Sequence, residues 1–290
     1  DGDVLCGTYK RAQEVMAWSK YTTDGDIKAM CVLNRSQNDI LLCLVQRDSG
    51  LFIEILDEGL TEYTDSYYEY DGNPQIVTSI TTGGVVSCVG HSLSTNDTVK
   101  IFGTSSDEIN GILFNVENLT SSTYQLRDLT GTNISIPIAT TTGTEYEALD
   151  TFTLAHLDAD TIVSVRADLA YEGEFTLTSG GVLTLANPAY KLSAGLPFSC
   201  KVKTIRGLSF RKKRTDIYLR LNDSSIPKVN DRFEPSRDGE DRMDDAIDLF
   251  TGDLKYTGGS TKTDDSITVD FNLPLPLNIQ AIYGVEDEGR

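Results

Sequence analysis

Only two imidazoles, His91 and His156, occur in the 290 residues, and a nucleophilic centre would need one of them beside a serine or cysteine and an orienting acid. Neither stands near the sharp glycine-flanked serine turn that exposes such a nucleophile. His91 follows Gly90 and precedes Ser92-Leu93-Ser94, the setting of a hydrogen-bonded turn residue. His156 lies between Leu154 and Leu157, the setting of an imidazole satisfied in a core or an interface. Acidic residues number 44, so chance alone supplies many close carboxylate pairs of the kind glycosidases use. The acidic stretch Asp238 to Asp245 is superficially like a calcium loop, but it lacks the alternating ligands and closing glutamate. No Cys or His pair has zinc-ligand spacing. These residues predict no catalytic, cofactor or metal site.

Five cysteines, Cys6, Cys31, Cys43, Cys88 and Cys200, are an odd number scattered mostly through apolar runs, where a free thiol acts as a small hydrophobe. A reducing compartment fits this usage. It also makes the Asn-X-Ser/Thr triplets at Asn34, Asn96, Asn118, Asn133 and Asn222 coincidental rather than glycosylation sites. The formal charge of −19 opposes binding to a phosphate backbone. The one compact basic run, Arg211-Lys212-Lys213-Arg214, reads as a subunit contact rather than a nucleic-acid site. No stretch approaches the roughly 20 apolar residues of a membrane span, and no charged-then-apolar leader opens the chain. A soluble chain is expected, either processed or cut from a longer protein, because no Met precedes Asp1-Gly2.

The elements that must carry these residues read as strands. Thr, Val, Ile, Tyr and Phe are abundant, and branched and aromatic side chains suit a pleated surface. The expected fold is mainly β, in several small antiparallel units. Residues 1–72 form strands joined by polar turns, with Ala29 to Leu33, Ile40 to Gln46 and Leu51 to Leu56 in tandem. Ile40 to Val45 is apolar on both faces, which predicts a central strand covered on both sides. Arg11 to Lys20 is read as strand over helix, and the tyrosines Tyr63, Tyr67, Tyr68 and Tyr70 break the strand pattern before Asn73-Pro74.

Residues 73–147 carry turn signals at Gly83-Gly84, Asn96-Asp97, Asn110-Gly111 and Thr130-Gly131, spaced as in a small barrel or sandwich. The tract Ala139 to Thr144 is a linker or exposed loop. Residues 148–290 form a third β-rich unit, with strands at Thr161 to Val165, Val182 to Leu185 and Asp216 to Leu221 and a tight turn at Gly180-Gly181. Within it, 235–248 is a charged, solvated loop with a short helical turn around Asp244 to Phe250, and Leu273 to Tyr283, whose alternating prolines exclude a central helix, suits an extended edge segment.

Taken in order, these segments resemble the tail tubular protein B, or tail nozzle, family of short-tailed bacteriophages. Gly2-Asp3-Val4-Leu5, Thr8 to Arg11 and Val15 to Lys20 resemble the family's opening strand, tyrosine and "aW(s)" signature. Ile40 to Arg47 with Leu51 to Leu56 is similar to its "vvvR…g…ierl" pair, followed by Asp65-Ser66. Gly90 to Ile101, Gly111 to Val116 and Thr123 to Leu126 resemble a small barrel inserted in several phage tail proteins. Leu154 to Leu157, Thr161 to Val165, Gly180 to Leu185, Ala194 to Phe198 and Leu273 to Leu277 look like its "L.HL.g.tV.v", "G.i.L", "vGLpy" and "PlPl" steps, though Ala159 or Asp160 stands where the family has glycine.

The resemblance implies a propeller-like strand region over 1–72, incomplete without upstream strands, then the inserted barrel, then a nozzle domain. It also implies a structural, non-enzymatic role in the virion tail: a homohexameric ring forming the distal tube through which DNA is ejected. Its partners would be a tail adaptor on the portal side and tail fibres. Six copies would carry six times −19, a formal charge of −114, and an acidic lumen would let DNA pass without specific binding. Two other readings stand beside it. One is a glycan- or receptor-binding β module using Tyr67, Tyr68 and Tyr70; the other is a polysaccharide-degrading tail enzyme.

Overall fold

The computed structural model describes residues 3–10, 15–34, 39–56, 63–137, 139, 142–204, 213–235, 246–257 and 266–287. The regular structure among them is all strand, arranged as several small antiparallel sheets, one of which closes into a barrel. The described residues divide into two compact units, one within Asp1–Tyr67, Ile162–Ser164 and Gly195–Arg290, the other within Tyr68–Thr161 and Val165–Ala194.

The chain opens with a hairpin of β1 (Val4–Lys10) and β2 (Val15–Tyr21), so the second half of Arg11 to Lys20 is strand as expected; Arg11 to Glu14 lie outside the described residues. Next comes a meander of β3 (Asp26–Leu33), β4 (Ile40–Arg47) and β5 (Gly50–Leu56) with β4 in the centre. The expectation that β4 is covered on both sides is corrected. Cys43, Val45 and Arg47 are buried on one face, while on the other Ile40 is buried but Leu42 and Leu44 are only half-buried. Among the described residues, nothing shields that second face fully.

The tyrosine segment is also corrected, because it forms β6 (Asp65–Tyr70) instead of ending the strand pattern. Its rings have a place to pack: Tyr70 lies 5.4 Å and Tyr68 6.5 Å from the ring centre of Phe152. The divide drawn at residue 72 falls in the irregular 71–74 that follow.

The barrel comprises β7 (Gln75–Ile80), β8 (Val85–Cys88), β9 (Thr98–Phe102), β10 (Leu113–Thr120), β11 (Thr123–Arg127) and β12 (Gly143–Thr153). Around the ring they run β12-β7-β8-β11-β10-β9, and β12 pairs again with β9 to close it. Alternate side chains from each strand fill the interior, including Val77, Val86, Ile101, Phe114, Val116 and Leu126. Closure leaves no unpaired edge in the ring, the usual exposure of a small sheet. The tract at 139–144, expected as linker or loop, is in its last two residues the start of β12. Gly143 makes this close pairing possible: a Cβ there would stand 2.9 Å from Thr104 Cγ2 and 3.1 Å from the Phe102 carbonyl. The divide drawn at residue 147 falls inside β12, whose first part pairs with β7 and β9 and whose remainder, from Leu149, pairs with β15 (Val182–Ala189).

A four-stranded sheet takes the order β14-β13-β16-β6, with β13 (Ile162–Ala167), β14 (Ala170–Thr176) and β16 (Leu192–Leu196). The turn expected at Gly180-Gly181 is present. Gly181 has φ +72° and a Cβ would meet the Leu154 carbonyl at 2.5 Å, so the position favours glycine. The remaining strands are β17 (Cys200–Lys203), β18 (Lys213–Ser224), β19 (Lys228–Val229), β20 (Phe250–Thr257), β21 (Thr268–Phe271) and β22 (Ile279–Asp287). They form two three-stranded sheets, β17-β21-β19 and β20-β18-β22. Alternation in β18 buries Ile217, Leu219 and Leu221 in a common core with Val229, Tyr256 and Val269.

Of the extended edge segment expected over Leu273 to Tyr283, the part from Ile279 is strand, in the edge strand β22; 272–278, with both prolines, is irregular, a correction in keeping with proline's missing N–H. The helical turn expected around Asp244 to Phe250 is corrected where it can be seen. Ala246 to Leu249 is irregular and Phe250 opens β20, since one isolated turn has too few hydrogen bonds to offset the ordering of its residues. Asp244, Asp245 and most of the acidic loop 235–248 lie outside the described residues.

Candidate functional site

Three features carry chemistry or surface that the strands alone do not explain. The first is the uncovered face of the β3-β4-β5 meander. Register sets Ile53 beside Leu44 and Ile55 beside Leu42, with Ala29 and Cys31 on the far side of the same two β4 residues. Period-two alternation then places Leu33, Leu42, Leu44, Leu51, Ile53 and Ile55 on one face, together with Ile40, which is buried at its end. Ile53 is 74% exposed and Leu51 56%. The neighbouring hairpin repeats the pattern: Leu5, Tyr9, Met16 and Trp18 share one face of β1-β2, and all four are about two-thirds exposed, Trp18 at 67%. An exposed large hydrophobe is ordinary when single; contiguous rows on a sheet mark an interaction surface.

The second feature holds the opposite face of the meander. Arg47, only 6% exposed, donates Nε to Glu54 Oε1 at 2.6 Å and Nη2 to Glu54 Oε2 at 2.7 Å. Its Nη2 also donates to Thr23 Oγ1 at 3.0 Å and lies 3.7 Å from Asp65, and Nη1 donates to the Asp24 carbonyl. Burial opposes this charge, but the hydrogen bonds and charge of Glu54, with Asp65 and Asp24, more than offset it and hold the guanidinium above its ordinary pKa. A fork of donors matched to a carboxylate pins β4, β5 and the start of β6 together. The arrangement is a clamp, with all three guanidinium nitrogens donating inward.

The third feature lies inside the barrel. Glu145, 2% exposed on β12, accepts a hydrogen bond from the hydroxyl of fully buried Tyr124 on β11 and one from the Cys88 thiol on β8. His91, also buried, packs edge-on against Tyr124 with ring centres 5.1 Å apart. Its Nε2 is 2.9 Å from the Thr120 carbonyl, which requires the proton on that nitrogen and leaves buried Nδ1 without a partner. Burial pushes the Cys88 thiol up to about 12 and raises Tyr124 and Glu145 as well, the last against the pull of its donors and of His91. Neither thiol nor phenol is a nucleophile in this state, because each is held in its protonated form.

His91 is the hydrogen-bonded residue after a turn that its sequence setting suggested, and it is also part of the barrel core. His156 is half-buried on the segment between β12 and β13. Tyr68 and Tyr70 are occupied in packing on Phe152, and Tyr70 also donates to the Glu147 carbonyl at 3.1 Å. Of the basic run, Lys213 and Arg214 are backbone partners of Asp287 and Glu286 in β22, and Arg211 and Lys212 lie outside the described residues.

All five thiols are free. Cys43 and Cys88 are buried as expected of small hydrophobes, but Cys31 and Cys200 are exposed, a correction that follows from the open face beneath Cys31 and the exposed strand β17. Among the described residues, no three His, Cys, Asp or Glu converge as a metal site, and no helix is long and apolar enough to cross a membrane. The Arg47 clamp and the Glu145 cluster were not foreseen. A lone arginine or glutamate at an inward strand position was the available signal, as in Val45-Gln46-Arg47 and Thr144-Glu145-Tyr146. The sequence matches no protein-family model and no curated protein sequence.

Proposed function

We propose that this chain is a structural component of a short-tailed phage tail, part of the distal tube or nozzle through which DNA leaves the particle. The observation that carries the reading is the uncovered apolar face of the β3-β4-β5 meander, with exposed Leu51, Ile53 and Ile55. Such a face is a poor solvent-facing surface and a good subunit or intrachain contact, where each aliphatic side chain contributes on the order of 1–2 kcal/mol on burial. The all-strand architecture with a closed small barrel agrees with the resemblance drawn from the ordered motifs.

In this reading the role is mechanical and no reaction is catalysed. Copies assemble as a closed six-fold ring between a portal-side adaptor and the tail fibres, and the charge of −19 per chain serves a lumen to which DNA does not adhere. Electron microscopy of the phage particles, labelled with antibody raised against this chain, tests the assignment. Label at the distal end of the tail is expected; label elsewhere, or none on particles, would overturn it. Lysines introduced on lumen-facing strands should slow DNA ejection in vitro, and unchanged ejection kinetics would remove the lubricating role of the charge.

A further inference from the structure

The barrel closes where β12 meets β9, and Glu145 sits on that seam. Its backbone is in register with Gln75 of β7 on one side and Ile101 of β9 on the other, while its side chain turns into the core. The groups facing it are Cys88 from β8, His91 from the segment after β8, and Tyr124 from β11, with Glu147 two residues along its own strand. The register neighbours on β7 and β9 carry no charge, β10 contributes Phe114 and Val116 to the surrounding core, and Lys100 of β9 is engaged by Asp168 at 2.6 Å. Among the described residues the carboxylate therefore has two neutral donors and no salt-bridge partner, in an enclosed site. A buried charge so provided is held at a net disadvantage against its neutral acid.

We propose that Glu145 is a proton-operated latch on the barrel seam: with its proton it lets β12 close on β9, and without it the closure loosens. Burial raises the affinity of Glu145 for its proton in the fold, and Glu147 adds to the effect, while Tyr124, Cys88 and His91 oppose it only in part. The sign follows directly. Below the ordinary carboxylate value of 4.5 both folded and opened chains hold the proton and the closure is at full strength. Above it the opened chain releases the proton first, so closure weakens as pH rises and levels off beyond the raised folded value.

Amide hydrogen exchange on the full chain reads the seam directly. Protection of β9 and β12, corrected for intrinsic exchange and referred to β18 and β22, is measured from about pH 5 to about pH 8. The expected result is a loss of protection of about tenfold per pH unit within the window set by Glu145, absent in Glu145→Gln. An equal slope in Glu145→Gln, or no slope in the unaltered chain, would overturn the latch. Should that variant not fold, Tyr124→Phe removes one donor to the carboxylate and should extend the window to higher pH; an unmoved window would count against the proposal.

Discussion

The barrel strands β7 to β12 and the meander β3 to β5 use the same side chains to different ends. Both are antiparallel, both are rich in Val, Ile and Leu, and each turns a long acidic or basic side chain inward, Glu145 in the first and Arg47 in the second. In the barrel, the second pairing of β12 turns the sheet into a ring, so one face of every strand becomes interior, and Val77, Ile101 and Leu126 are wholly buried. In the meander, β3 and β5 have no further strand partner among the described residues, and one face stays in solvent with Ile53 at 74% exposure. Hydrophobic content alone is thus no guide to what is core; a face becomes core where the ring closes on it or, as for Ile217, Leu219 and Leu221 of β18, where another element packs over it.

The two inward charges differ in the same way. Arg47 meets a carboxylate fork and is stabilised in its charged form, whereas Glu145 meets only neutral donors and is favoured in its neutral form. Burial opposes the charged form at both sites, and only at Arg47 do charge partners outweigh it.

Four substitutions would break or sharpen this contrast. The largest effect is expected from Leu126→Ala in the fully enclosed ring, a loss of about 4 kcal/mol by denaturant unfolding of the barrel unit, since a closed sheet cannot collapse onto the void. A loss below about 1 kcal/mol would mean the ring relaxes like an open sheet. Arg47→Ala should destabilise the meander by about 3 kcal/mol, because Glu54 and Asp65 are left without their cation, and should leave exchange protection in β7 to β12 unchanged. Tyr124→Phe removes one donor from a buried carboxyl group and should lower barrel stability by about 1.5 kcal/mol at neutral pH, with the loss shrinking as pH falls and Glu145 takes up its proton. Ile53→Ala, on the open face, should change unfolding of the isolated chain by less than about 0.5 kcal/mol. Light scattering should nonetheless show reduced self-association or reduced ring assembly; a stability loss like that of Leu126→Ala would show that the face is already covered.

The strands were legible where alternation and turn chemistry agree, as in Asp216 to Leu221 within β18 and at the Gly180-Gly181 turn. They were misread where an element's partner is distant in sequence. The tyrosines of β6 look like a break until Phe152 supplies the surface they pack on, 82 residues beyond Tyr70. Gly143-Thr144 look like linker until β9 is brought alongside. The candidate sites show the same limit, because Arg47 is seven residues from Glu54 and within reach of a sequence guess, while Glu145 and Cys88 are joined only by the curvature of the ring.

By itself the sequence determined the strand composition, the acidic surface and the period-two placement of apolar residues, since these depend only on residue type and on neighbours along the chain. Which apolar faces became core and which stayed open, and which buried charge found a counter-charge, were decided by tertiary structure. Burial and ionisation depend on what is packed across a strand, and that is set by pairings between residues far apart in the chain.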